Sequence, residues 1–105
     1  MSRVLITGVA GFLGARLARR MVQDGWEVVG LDLVPRVDAW RLEGVKLEYR
    51  WGACQDVHTL DAPYVVHLAS QGDVPLALSA PAYTVNNNVM GTLALLEAAK
   101  RHDGL

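Results

Sequence analysis

Thr7-Gly8-Val9-Ala10-Gly11-Phe12-Leu13-Gly14 (TGVAGFLG) is the stretch that decides how this chain folds. Its three glycines, spaced three apart, follow an apolar run, Arg3–Thr7 (RVLIT), and open a pattern in which Leu13, Leu17 and Met21 recur every four residues. The run is apolar on both faces, as a strand inside a parallel sheet must be. The recurrence predicts a helix over Phe12–Asp24. Leu13, Leu17 and Met21 would face the sheet, and Arg16, Arg19, Arg20 and Gln23 would face water. Gly25 is expected to cap it. The glycines have a mechanical logic. Gly8 permits the tight turn out of the strand, Gly11 lets backbone approach a ligand without a Cβ in the way, and Gly14 lets the helix pack close to the strand.

Outward from this unit, Glu27–Leu31 (EVVGL) reads as a second strand closed by Asp32. Pro35–Gly44 is expected to be an irregular connection with at most a short helix. Val45–Trp51 alternates and reads as a third strand nearer an edge. Asp56 is placed to N-cap a short turn through Leu60, and Tyr64–Leu68 (YVVHL) reads as a fourth strand. Gly72–Ala80 reads as loop. Pro81 then suits the first turn of a long helix to about His102, with Val85, Val89, Leu93 and Leu96 as its buried stripe and Asp103-Gly104 as its break. Short apolar runs alternating with helical patterns specify an α/β fold: a Rossmann-type parallel sheet of strand order 3-2-1-4 with helices on both faces. That sheet is incomplete, because strand 4 would stand at an edge that normally carries further strands.

Composition narrows the function. In 105 residues, 51% hydrophobic, there is room for one domain with a real core. Ten basic and eleven acidic residues are intermixed, for a net charge of −1, which argues against nucleic acid or an anionic membrane surface as partner. No apolar segment approaches the ~20 residues of a spanning helix. The stretch after Arg3 is interrupted by Thr7, Gly8, Gly11 and Gly14, unlike a secretory signal. Cys54 is the sole cysteine, which excludes an intramolecular disulfide and suits a reducing, cytoplasmic setting. His58, His67 and His102 lack ligand spacing, so no metal site is expected, and His67 reads as a core histidine satisfied by its neighbours.

The glycine turn and Asp32 together point to a ligand. Free N–H groups at the helix start, near Phe12 and Leu13, would meet an anion with help from the helix dipole. Asp32 ends the second strand 24 residues beyond Gly8, placed to accept hydrogen bonds from ribose hydroxyls. The pair specifies the pyrophosphate and ribose of a dinucleotide. A carboxylate there repels a 2′-phosphate, which favours NAD over NADP, with Arg36 the one basic residue positioned to soften that preference.

The spacing GxxGxxG resembles the opening of the extended short-chain dehydrogenase/reductases, the NAD-dependent epimerase/dehydratase family. Leu31–Leu33 (LDL) is similar to that family's second-strand end, and Val65–Ser70 (VVHLAS) to its fourth-strand motif. Ser79, Pro81, Tyr83, Asn88-Val89-Met90-Gly91-Thr92 and Leu95–Ala99 resemble its S…P…Y…NVxGT…LLEAA helix. The resemblance implies that Gly8, Gly11, Phe12, Leu13 and Gly14 hold the pyrophosphate and that Asp32 with Leu33 holds the adenosine ribose. It implies that Leu68, Ala69 and Ser70 line the dinucleotide with backbone, that Asn87 lies near the nicotinamide ribose, and that Asn88 supports the proton relay. Where the family reads G-D-I-x-D, this chain has Gly52-Ala53-Cys54-Gln55-Asp56. The adenine carboxylate is thus replaced by Ala53, leaving backbone at Cys54 to serve. A lost bond of that kind costs about 1 kcal/mol.

Family catalysis uses a Ser/Thr and a Tyr-xxx-Lys pair. None of Tyr49, Tyr64 and Tyr83 has a lysine four residues later. The resemblance therefore implies that residues 1–105 are the N-terminal NAD(P)-binding part, with the C-terminal substrate domain absent and no catalysis by this part alone. The parent would act on a nucleotide-sugar. The alternative is a non-catalytic NAD(P)-binding regulatory module of the same fold. Self-association as a homodimer, through strand 4 or the long helix, is a further expectation.

Overall fold

The computed structural model describes residues 2–102. Four parallel strands, β1 (Arg3–Thr7), β2 (Glu27–Asp32), β3 (Glu48–Trp51) and β4 (Tyr64–His67), form one sheet in the order β3-β2-β1-β4. This is the expected Rossmann-type arrangement. β1 is central, pairing Val4 with Val28 on one side and with Tyr64 on the other, and Val4, Leu5 and Ile6 are all buried. Alternation then sorts the side chains into two layers. Val4, Ile6 and Val28 join Ala15 and Ala18 of α1 (Phe12–Gln23), while Leu5, Val29 and Leu31 join Cys54 and Leu95 on the opposite face.

α1 ends as expected. Gly25, at φ 91°, follows its last turn, and the N–H groups of Gly25 and Trp26 return to the carbonyls of Val22 and Met21. Its buried face is not the expected one. Leu13 is 65% exposed, and the residues against the sheet are Gly14, Ala15 and Ala18, with Leu17 and Met21 partly buried beside them. The axis lies too close to β1 for large side chains to fit directly beneath it, so leucines flank the contact rather than make it.

Four further expectations change. β3 starts at Glu48, because Val45 is spent on a buried turn in which its N–H donates to the Leu42 carbonyl. Asp56 closes a 3₁₀ turn, Cys54–Asp56, instead of opening one. The segment read as loop contains α2 (Val74–Ser79), started by Asp73, whose carboxylate accepts the Leu76 N–H, with Pro75 in the first turn. The long helix is three pieces: α3 (Pro81–Val85), a π-helical turn (Asn86–Met90) and α4 (Gly91–Lys100). The wider π turn rotates the helix face, so no single 3.6-residue stripe runs through it. Val85, Val89, Leu93 and Leu96 are accordingly exposed, and Gly91, Leu95 and Ala98 are buried. The expected break at Asp103-Gly104 lies outside the described residues.

At the N-terminal end of the sheet, Arg3 meets Glu27 at 3.1 Å, Glu48 at 3.4 Å and Asp61 at 3.0 Å, while Arg50 meets Glu48 and Asp61 at 2.6 Å each. Arg50 first, and Arg3 second, hold the Asp61 carboxyl down to about 2. A carboxyl lowered by folding stabilises the fold above its ordinary pKa and loses that contribution as pH falls through the folded value. Chemical denaturation at a series of pH values is therefore expected to show an acid limb between about pH 4 and 2 that Asp61→Asn flattens. Since Asp61 is half exposed, the variant should lose no more than about 1 kcal/mol at pH 7.

Candidate functional site

The C-terminal ends of β1, β2 and β4 surround a cavity of about 330 Å³, where open α/β sheets place their ligands. Its shape begins with the glycine turn. Gly8 sits at φ 71°, and a Cβ there would stand 2.8 Å from the Leu68 carbonyl carbon and the Ala69 nitrogen. Its N–H donates to the Leu31 carbonyl at 2.9 Å, tying the turn to β2. Gly14 is more constrained still, since a Cβ would fall 2.1 Å from the Gly8 carbonyl oxygen. Gly11 faces open space apart from that same oxygen at 3.3 Å.

Asp32 is the charged anchor. One carboxylate oxygen accepts the Ala10 N–H at 2.9 Å and the other accepts the Val34 N–H at 3.0 Å. Each oxygen keeps one lone pair, enough for two further donors. Leu33 and Val34 are pinned from β3, where Trp51 Nε1 donates to the Leu33 carbonyl at 2.8 Å and the Tyr49 hydroxyl donates to that of Val34.

Nine of the thirteen residues expected in the site line this cavity. Gly8 and Gly11 come from the turn, Asp32 and Leu33 from the end of β2, and Cys54 from the 3₁₀ turn. Leu68, Ala69 and Ser70 follow β4, and Asn87 comes from the π turn. Phe12, Leu13, Gly14 and Asn88 do not line it. The side chains of Phe12 and Leu13 point to solvent, but no side chain caps the start of α1 and no acid occupies its first turn, so the opening N–H groups remain available. Burial pushes the Cys54 thiol up, so it stays protonated at neutral pH.

Asn88 has a different task. Its amide oxygen accepts the Gln71 N–H at 2.5 Å and its nitrogen donates to the Gln71 carbonyl at 3.0 Å, so the π turn clamps the chain leaving β4. Gln71 donates onward to Thr84 at 3.0 Å.

Four lining residues escaped the sequence reading: Ala10, Leu31, Val34 and Arg41. Arg41 corrects the place given to Arg36. Arg36 donates to the Val45 carbonyl and lies over the Tyr49 ring, outside the cavity wall, while Arg41 is in it. Nothing in an irregular connection reveals which of two arginines turns inward. His67 is satisfied by Thr7 and Thr92, as expected, but it is half-buried at the end of β4 and not in the core. No helix among the described residues is long and apolar enough to cross a membrane.

Against known proteins, the family described as "NAD dependent epimerase/dehydratase family" matches residues 4–105. The chain is 34% identical to the UDP-glucuronate 4-epimerase of Thermodesulfobacterium geofontis, over 95% of this chain and 36% of that one. Among solved structures it superposes on an epimerase from Methanothermobacter thermautotrophicus with a TM-score of 0.84 and 28% identity, covering 95% of this chain and 32% of that one. MoeE5, solved with UDP-glucose and NAD, gives a TM-score of 0.79 and 28% identity, covering 94% of this chain and 32% of MoeE5. The chain spans about a third of the length of the curated relatives it matches. Glycine turn, strand-end carboxylate and family match agree over nearly every residue, and the chain belongs to the NAD-dependent epimerase/dehydratase family.

Proposed function

We propose that the cavity binds NAD(H), and that this chain is the dinucleotide-binding portion of an oxidoreductase that acts on a nucleotide-sugar. The observation that carries the reading is the union of the glycine turn and Asp32 in one cavity at the strand ends. The uncapped N–H groups at the start of α1 fit a pyrophosphate, with Gly11 leaving the approach free of a side chain and Gly8 and Gly14 letting the turn and the helix pack closely enough to form it. The remaining lone pairs of Asp32 fit a ribose diol. Leu33 and Cys54 flank the adenosine end, and Leu68, Ala69, Ser70 and Asn87 extend the wall toward the nicotinamide. NAD, when bound, supplies a hydride acceptor. MoeE5, bound to both NAD and UDP-glucose, supports the cofactor and the substrate class alike.

The chain's own residues bind and orient, and none of its tyrosines carries the lysine partner that would let it act as acid/base. We assign the binding to NAD over NADP because the Asp32 carboxylate opposes a 2′-phosphate, with Arg41 the nearby positive charge. The free Cys54 suits a cytoplasmic protein, and the exposed Val89 and Leu96 suit association with a second copy. Calorimetric titration with NAD⁺ and NADP⁺ tests the assignment. NAD⁺ is expected to bind more tightly by about tenfold, 1.4 kcal/mol. Equal affinity would remove the cofactor preference, and binding of neither would remove the function.

A further inference from the structure

The ends of β1 and β4 and the start of α4 are joined through one imidazole. Thr7 is fully buried, and its Oγ1 accepts the Leu68 N–H at 3.0 Å and the Ala69 N–H at 3.1 Å. Those two bonds fill both lone pairs of a hydroxyl oxygen. The Thr7 proton then has one direction left, and His67 Nδ1 stands there at 2.6 Å. Nδ1 must accept, which places the proton of the neutral ring on Nε2. Nε2 lies 2.9 Å from Oγ1 of Thr92, whose own proton goes to the Asn88 carbonyl at 2.7 Å. Every proton in the chain has an acceptor.

A second proton on the ring breaks this order. The three directions of the Thr7 oxygen face His67, Leu68 and Ala69. If Nδ1 becomes a donor, three donors compete for the two lone pairs of the Thr7 oxygen, even if its own proton turns to the Cys54 thiol, which also faces it. Leu68 or Ala69 must then yield. Leu68 has an alternative acceptor in the Thr7 carbonyl at 3.1 Å; for Ala69, Thr7 Oγ1 is the acceptor the described residues provide. Both residues line the cavity. Among the described residues no charged group acts on the ring, and the cavity it lines is otherwise walled by Leu60, Val65, Thr92, Leu95, Leu96 and Ala99.

We propose that Thr7, His67 and Thr92 are positioning residues for Leu68–Ser70, and that dinucleotide binding weakens when the His67 imidazole takes up a second proton. The binding half of this rests on the NAD reading above; the link between the ring and the amides stands without a ligand. Burial lowers the titration of His67 below the ordinary 6.5, which keeps the ring neutral at physiological pH.

The test is NMR on the full chain between pH 8 and pH 5, reading the ring nitrogens of His67 and hydrogen-exchange protection at Leu68 and Ala69. The expected result is the Nε2–H tautomer at pH 8. Protection at one of the two amides should fall by about tenfold as the ring titrates, the loss of one hydrogen bond, while Leu5 and Ile6 hold theirs. His67→Asn, which offers Thr7 a carbonyl and does not titrate, should remove the step. NAD⁺ affinity should fall in parallel in the wild type and stay level in the variant. An Nδ1–H tautomer, a ring that titrates without change at either amide, or a ring that stays neutral until the chain unfolds would each overturn the proposal. The wild-type amide measurement decides the matter even if the variant does not fold. A protection step with no NAD⁺ binding at any pH would leave the positioning link standing and fell the cofactor reading instead.

Discussion

Gly14→Ala is expected to lose both NAD⁺ binding and much of the stability of the fold. The added Cβ would meet the Gly8 carbonyl oxygen at 2.1 Å, the Gly8 carbonyl carbon at 2.8 Å and the Val9 Cα at 2.9 Å. All three are backbone atoms and cannot rotate aside. Relief requires either α1 to move off β1, which uncovers Ala15 and Ala18, or the turn to move, which breaks the bond from the Gly8 N–H to Leu31. Overpacking of this kind costs about 3 kcal/mol, a large share of the 5–15 kcal/mol typical of a domain. A urea titration is expected to show the midpoint falling by about 2 M. An unchanged midpoint would mean that the turn and helix are not held this closely.

Asp32→Ala carries the second large effect, and it acts on the ligand more than on the fold. The carboxylate holds the Ala10 and Val34 N–H groups and, in the reading above, also receives the ribose hydroxyls. Hydrogen bonds to a charged group contribute about 1.5–3 kcal/mol each, so losing those to the ribose should weaken NAD⁺ binding by roughly 100-fold. NADP⁺ should be affected far less, because the repulsion between Asp32 and its 2′-phosphate disappears along with the bonds. Asp32→Asn separates the two causes, since it removes the charge while keeping an acceptor. Calorimetry on both variants with both nucleotides measures this. If NAD⁺ affinity in Asp32→Ala stays within twofold of wild type, the ribose is held elsewhere.

The sheet was legible because its signals are local and redundant. RVLIT, EVVGL and YVVHL are short, apolar and bounded, and the right-handed crossover leaves few ways to order them. The site was legible for a related reason, since backbone supplies most of it and glycine marks where backbone must come close. Helix faces were harder to read. Hydropathy ranks Leu13 above Ala15, yet close approach of α1 favours the smaller residue at the contact. A π turn leaves no trace in the spacing of apolar residues, so Val89 and Leu96 fall on an apparent stripe that the backbone rotates outward. The 3₁₀ connection after β2 has no repeating pattern at all, and Arg41 emerges only once that chain is folded against α1 through Arg19, which donates to its carbonyl at 3.0 Å.

Val9 and Gly30 bear on how such a site meets its ligand. Val9 lies in the glycine turn, yet its side chain is fully buried, seated on β2 where Gly30 leaves room; a Cβ on Gly30 would stand 2.6 Å from the nearer Val9 methyl. The turn is thus nailed to the sheet by its own hydrophobe and by its N–H groups, which donate to Leu31, Asp32 and Gly8, while the N–H groups that open α1 stay free. A loop already fixed surrenders little conformational entropy when an anion arrives, whereas ordering a free backbone residue costs about 1–2 kcal/mol. The four residues between β1 and α1, Gly8 to Gly11, would otherwise have to be frozen on every encounter. Preorganisation of this kind would show up as fast association with little dependence on temperature, and it comes from a valine whose side chain lies buried outside the cavity wall.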